Sequence, residues 1–226
     1  MAEVQLSSPV QDYLKAIYCM EKEGEGVSAS RLAESMGVRL PSVTSMIRKL
    51  ASRRLVSYTP YLSIALTGAG ERQALEIVRH HRLLETYLRK NLGFALDALH
   101  AEADRLEHAM SAELEEKIDA LLGRPAFDPH GSPIPDRKGN VRVRNLAPLS
   151  GLPPGSRAVV RQITCRGSEQ LRHLESIGLL PGVSVRVVSR EKGSGIVGIA
   201  ISGDKVQSIA ESIADMVLVD AKRSSR

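Results

Sequence analysis

Apolar positions recur at helical spacing through the first 122 residues and in short β-like runs beyond residue 155. Val10, Leu14, Ile17 and Tyr18 form one stripe and predict a helix over 9–23. Pro9 suits its first turn with Ser8 as the cap, and Gly24 and Gly26 end it. A second helix is predicted over 28–36, capped by Ser28 or Ser30, with Leu32, Ala33 and Met36 inward. Gly37 marks a turn. Pro41 opens a third helix reaching about Arg53, with Val43, Met46, Ile47 and Leu50 on its buried face. Two short helices joined across a glycine turn are the helix-turn-helix pattern. Val56, Tyr58, Leu62, Ile64 and Leu66 then alternate around Thr59-Pro60-Tyr61, which predicts a short hairpin, the wing behind the third helix.

Two long helices are predicted next, over 67–91 and 95–122, broken by Gly93 and ended by Gly123 and Pro125. Residues 124–154 hold seven prolines and read as a linker or irregular connection. Beyond Gly155 short β runs at 158–160, 183–188, 196–201 and 216–219, with one helical piece at 168–177, predict a small β-barrel. The expected domains are 1–70, a winged helix-turn-helix; 71–124, helical; 125–154, a linker; and 155–226, the barrel.

Composition narrows the class. Aromatic residues make up 3% of the 226, so the core is expected to rest on Leu, Ile, Val and Ala. No apolar run approaches the roughly 18 residues of a membrane span, and the first residues lack the pattern of a secretory signal. Cys19 and Cys165 stand far apart in no CxxC pair, which argues against a disulfide framework or zinc ribbon and for a reducing cytoplasm. The net charge of +5 is unevenly spread. Residues 27–61 carry Arg31, Arg39, Arg48, Lys49, Arg53 and Arg54 against Glu34 alone. Residues 97–119 carry eight acids against Arg105 and Lys117. A basic and an acidic block in one small chain suggest two different partners.

Four of the six histidines fall between 80 and 108. On a continuous helix, His100, Asp104, Glu107 and His108 share an arc of about 100°. On the preceding helix His81 and Glu85 are i and i+4 and share a face. This spacing fits two readings, a solvated acidic face or a cluster of oxygen and nitrogen donors around a divalent cation. Without sulfur such a cluster suits Mn(II), Fe(II), Co(II) or Zn(II). His80 lies on another face and is expected in solvent. The outward face of the third helix, Ser42, Ser45, Arg48 and Lys49, is small, polar and basic. It suits a helix lying in a major groove, where cations meet phosphate.

These residues, in this order, resemble a known family. A winged helix, His81-Arg82-Leu83-Leu84-Glu85, the run His100 to His108, Asp128-Pro129-His130-Gly131-Ser132-Pro133-Ile134-Pro135 and a small β module ending its helix with Ile177-Gly178-Leu179-Leu180-Pro181-Gly182 are similar to the diphtheria toxin repressor family of metal-dependent transcriptional regulators. The resemblance implies a mainly α winged helix-turn-helix and helical dimerisation domain with a C-terminal SH3-like barrel. It implies one metal site of His81, Glu85 and His100, completed by Glu169 or Gln170, and a second of Asp12, Asp104, Glu107 and His108. Asp12 and Asp104 stand where iron-sensing members have Met and Cys, so Mn(II) is the expected cofactor, with Fe(II) next and Co(II), Cd(II) or Zn(II) as substitutes in vitro. Lys15 stands where a manganese-type member can carry a carboxylate. Residues expected to meet DNA are Arg31, Arg39, Pro41, Ser42, Thr44, Ser45, Arg48 and Lys49. The expected partners are a palindromic operator duplex and a second copy of the chain, with neither a membrane nor a small organic substrate. A di-metal carboxylate enzyme and a regulator sensing a non-metal ligand are the alternatives.

Overall fold

The structure, a computed structural model, describes residues 6–24, 26–58, 63–165, 167–191, 193–201, 203 and 206–221. They divide into two compact units. The first takes the described residues up to His81 with Arg105–Ser111 and Pro135–Asn140; the second takes Arg82–Asp104, Ala112–Ile134 and the described residues from Val141.

In the first unit α1 (Ser8–Lys22) carries the predicted stripe, and Val10, Leu14, Ile17 and Tyr18 are all buried. α2 (Ala29–Met36) starts where Ser28 accepts a hydrogen bond from the Arg31 amide, and ends at Gly37 with φ 63°, a left-handed geometry that glycine adopts without a Cβ penalty. α3 (Leu40–Ser52) follows and buries Val43, Ile47 and Leu50. Met46, expected on that face, is only half-buried, because it sits at the rim between the core stripe and the outward face. β1 (Val56–Ser57) and β2 (Ala65–Leu66) pair antiparallel as the base of the wing, and Ile64 bridges back to Val27. The predicted turn at 59–61 lies outside the described residues. α4 (Gly68–Leu92) is a long helix, and the Thr67 hydroxyl accepts from the Gly70 amide at its start.

The expected helix over 95–122 is not continuous. A 3-10 turn at Leu96–Ala98 leads into α5 (Leu99–Leu106), and a second 3-10 turn at Glu107–Ala109 follows. Met110 is extended, with φ −72° and ψ 117°, before α6 (Ala112–Leu121) begins. The leucine periodicity survives this break, which is why pattern alone joins the pieces.

In the second unit a six-stranded antiparallel sheet contains β3 (Ala147–Pro148), β4 (Arg157–Ile163), β5 (Ser184–Glu191), β6 (Ile196–Ile201), β7 (Val206–Ala210) and β8 (Val217–Ala221), in the order β3-β8-β4-β5-β6-β7. The expected closed SH3-like barrel is therefore corrected: the sheet is open, and among the described residues its edges β3 and β7 do not pair. The edge β3 is two residues long and ends in Pro148, which has no N–H to donate. A short helix, α8 (Glu211–Asp215), touches both β7 and the turn Leu149–Gly151, and the Ser150 hydroxyl donates to the Asp215 carboxylate.

α7 (Ser168–Ser176) packs against the Leu96–Ala98 turn of the same unit. Glu175 accepts from Arg89 at 2.5 Å and from the Leu96 amide at 3.3 Å, while Arg172 reaches Asp97 at 2.8 Å. Within the proline-rich stretch 125–154, Asp128, His130, Ile134, Leu149 and Ser150 are buried.

Candidate metal centre and nucleic-acid interface

α1 presents Gln11, Asp12 and Lys15 within one turn, and the 3-10 turn after α5 presents Glu107 and His108. Glu107 is fully buried. It is held by two donors, Lys15 Nζ at 2.5 Å from Oε1 and His81 Nδ1 at 2.5 Å from Oε2. His108 Nδ1 lies 2.8 Å from the Gln11 amide oxygen, and Nε2 lies 2.9 Å from Asp12 Oδ1. A carbonyl oxygen only accepts, so Nδ1 donates to Gln11, and this contact turns Nε2 toward Asp12. One ligand atom from each of Asp12, Glu107 and His108 lies within 4.8 Å of the others. Burial pushes the Asp12 carboxyl above its usual range, against the opposite pull of His108 and Lys15.

Asp104, expected in this set, is in the second unit, where its Oδ2 lies 3.5 Å from His100 Nε2 one helical turn away. The 100° progression that the arc assumed ends at Leu106, where the 3-10 turn at 107–109 begins. Glu85, on α4, is buried and faces His100 Nδ1 at 3.6 Å, as expected for two donors of one set. Two residues that were not assigned join it. His130 Nδ1 is 3.5 Å from Glu85 Oε2, and Asp128 completes a buried group with ligand atoms within 4.8 Å of one another. The run Asp128-Pro129-His130-Gly131 was the available signal, since a carboxylate and an imidazole two residues apart on a glycine turn is a ligand-like spacing. Burial and the neighbouring Glu85 push the Asp128 carboxyl up to about 6. Burial opposes charging His130, but Glu85 and Asp128 outweigh it and raise its pKa.

Glu169 is exposed and joins none of the histidine and carboxylate groups among the described residues. Gln170 is half-buried, with its amide oxygen over Gly167. His80, expected in solvent, is buried at 8% exposure.

On α3, Pro41, Ser42, Ser45, Arg48 and Lys49 are exposed, and Pro41, Ser42, Ser45, Met46 and Lys49 line a shallow concavity. Arg39 caps the helix by its backbone and is exposed; the half-buried Thr44 turns its hydroxyl back to the Leu40 carbonyl at 3.1 Å. The Arg31 guanidinium donates to the Gly26 carbonyl at 2.9 Å.

A winged helix with an exposed basic recognition helix, and a carboxylate and imidazole group joining α1 to a later turn, define the class as a metal-responsive DNA-binding regulator. The sequence matches families described as iron dependent repressor, N-terminal DNA binding domain over residues 5–64, iron dependent repressor, metal binding and dimerisation domain over 67–136, and FeoA domain over 147–221. It is 30% identical to the iron-dependent repressor IdeR of Mycobacterium tuberculosis over 96% of this chain and 98% of that one. Among solved structures, a manganese-dependent transcriptional repressor in complex with manganese matches with TM-score 0.87 at 36% identity, covering 94% of this chain and all of that one. The manganese regulator SloR matches with TM-score 0.75 at 28% identity, over 94% and 98% of the two chains. The chain belongs to the diphtheria toxin repressor family of metal-dependent transcriptional repressors. It is a metal-responsive DNA-binding repressor, and the enzyme and the non-metal sensor are set aside. No helix among the described residues is long and apolar enough to cross a membrane.

Proposed function

We propose that this repressor answers to Mn(II), acts as a homodimer in the cytoplasm, and closes palindromic operators of metal-homeostasis genes. Fe(II) is the next candidate, and Co(II), Cd(II) or Zn(II) would substitute in vitro. The group of Asp12, Glu107 and His108 carries this reading. Two carboxylates and an imidazole without sulfur are a hard donor set that fits Mn(II). Manganese in the printed names of two similar structures supports the same choice. An ion bound there would supply the charge that the two carboxylates lack and would tie α1, part of the winged helix, to the 107–109 turn. Lys15 already neutralises one side of Glu107, which favours a single ion in this group over a pair.

Glu85, His100 and Asp104 are proposed as donors to a second ion, and His81 as the group that holds Glu107. The segments 1–70, 71–124, 125–154 and 155–226 are read as DNA-binding, dimerisation and metal-binding, connecting and accessory parts. Leu92, Leu106, Leu114 and Leu121 are exposed and are proposed to meet a second copy. In that dimer two copies of α3 would stand about 34 Å apart, the spacing of successive major-groove faces.

Anisotropy of a labelled operator duplex, with Mn(II) and then with excess chelator, tests the proposal. Binding is expected to collapse in chelator; tight sequence-specific binding in chelator refutes it. Arg48→Ala is expected to lower DNA affinity and to reduce the slope of log affinity against log salt by about 1. An unchanged slope removes Arg48 from the phosphate contacts.

A further inference from the structure

The faces of α7 differ in what they carry. At 100° per residue, Leu171, Leu174 and Glu175 fall within about 100° of one another, whereas Glu169 stands about 160° from Leu171. Leu171 and Leu174 are buried, Glu175 is half-buried and Glu169 is exposed. The packed side of this helix is therefore the side of Glu175, not the side of Glu169. Glu175 lies in the last turn of α7, where the negative end of the helix dipole opposes a carboxylate. Positive partners offset that field.

Arg89, in the last turn of α4, supplies the charge. Its Nη2 lies 2.5 Å from Glu175 Oε1, and its Nη1 donates to the Phe94 carbonyl at 2.9 Å. The Leu96 amide donates to Glu175 Oε2 at 3.3 Å, so both carboxylate oxygens are engaged. Arg172, three residues before Glu175, donates to Asp97 Oδ2 at 2.8 Å. The two pairs run in opposite senses: α7 offers an acid to a base on α4 and a base to an acid on the 96–98 turn. Exchanging the two partners would bring like charges together, which fixes the register of the contact.

The contact is complete in its own charges. Among the described residues, neither Asp97 nor Glu175 joins a group of histidines and carboxylates able to hold a metal ion. A single exposed ion pair contributes little and is screened by salt. Here Arg89, Glu175 and Asp97 are half-buried, and a backbone amide joins the network beside the buried Leu96. Charge-assisted hydrogen bonds in such surroundings are stronger than those between neutral groups.

We propose that the end of α4 and the 94–98 turn form a docking surface for α7 of the C-terminal module, closed by the clasp of Arg89, Glu175, Arg172 and Asp97, and that this docking needs no metal. The module is then a fixed arm of the helical part, in place before an ion arrives. Metal response does not include recruiting it. The inference stands apart from the Mn(II) reading, because the clasp uses none of the donors assigned there.

Amide hydrogen exchange of the full chain, read by mass spectrometry in excess chelator and in saturating Mn(II), tests this. In wild type the amides of α7 and of the 94–98 turn are expected to be protected equally in both conditions. Protection that appears only with Mn(II) overturns the proposal. In chelator, Glu175→Gln and Arg172→Asp are each expected to exchange at least about 10-fold faster in both segments. Strands β4, β5 and β6 should keep wild-type protection, which shows that the module itself stays folded. Wild-type exchange in both variants overturns the clasp. Arg172→Asp combined with Asp97→Arg restores an opposite-charge pair and is expected to regain protection in both segments. That recovery separates loss of docking from misfolding, and its absence counts against the proposal.

Discussion

His108→Ala protein in saturating Mn(II) is expected to bind its operator about 100-fold more weakly than wild type. The imidazole presents Nε2 toward Asp12 and is oriented by Gln11, so alanine removes both a donor and the reason Asp12 faces the site. Loss of an outer contact to a metal ligand already costs about 10–100-fold in metal affinity. Because metal and DNA binding are linked, a lost ion is felt at the recognition helix. Asp12→Asn, nearly isosteric, is expected to behave alike. The side chains of Asp12 and His108 are 41% and 18% exposed, so neither change should unfold the chain. Anisotropy titrations with thermal melts check both halves. Metal-dependent binding retained by both variants would mean that the ion sits elsewhere.

Lys15→Met is expected to destabilise the metal-free protein by about 3 kcal/mol, a fall in Tm of roughly 6–12 °C for a chain of this size. Glu107 has no exposure, and removing the ammonium leaves its Oε1 with only the longer 3.7 Å approach of His108 Nε2 among the described residues, while His81 holds Oε2. Added Mn(II) would then restore the missing positive charge. The rise in Tm on adding Mn(II) is therefore expected to be larger in Lys15→Met than in wild type. Equal melting temperatures without metal would show that Lys15 is a bystander to Glu107. A fall in Tm that Mn(II) does not recover would count against an ion at this group.

Residue order made part of this site legible. Asp12 and the pair Glu107 and His108 were expected together and come together, because each is fixed by local position on α1 or on the turn after α5. Asp104, on α5, lies beside His100 one turn back. Asp128 and His130 were part of a recognised run but carried no assigned role. Their partner Glu85 is more than forty residues earlier, and only packing brings them into reach.

The fold divides in the same way. Helices α1, α2 and α3, the cap at Ser28 and the turn at Gly37 follow from periodicity and backbone chemistry within a few residues, and the family resemblance follows from their order with the later motifs. β7 escaped notice because, as an edge strand, it buries only Ile209 and so lacks an alternating signal. The sequence by itself determined the winged helix, its basic outward face and the types of donor available, because these depend on neighbours along the chain. Tertiary structure alone decided which donors meet, that Lys15 and His81 satisfy Glu107, and that the C-terminal sheet stays open. Each of these depends on groups distant in sequence competing for the same buried charge or the same strand edge.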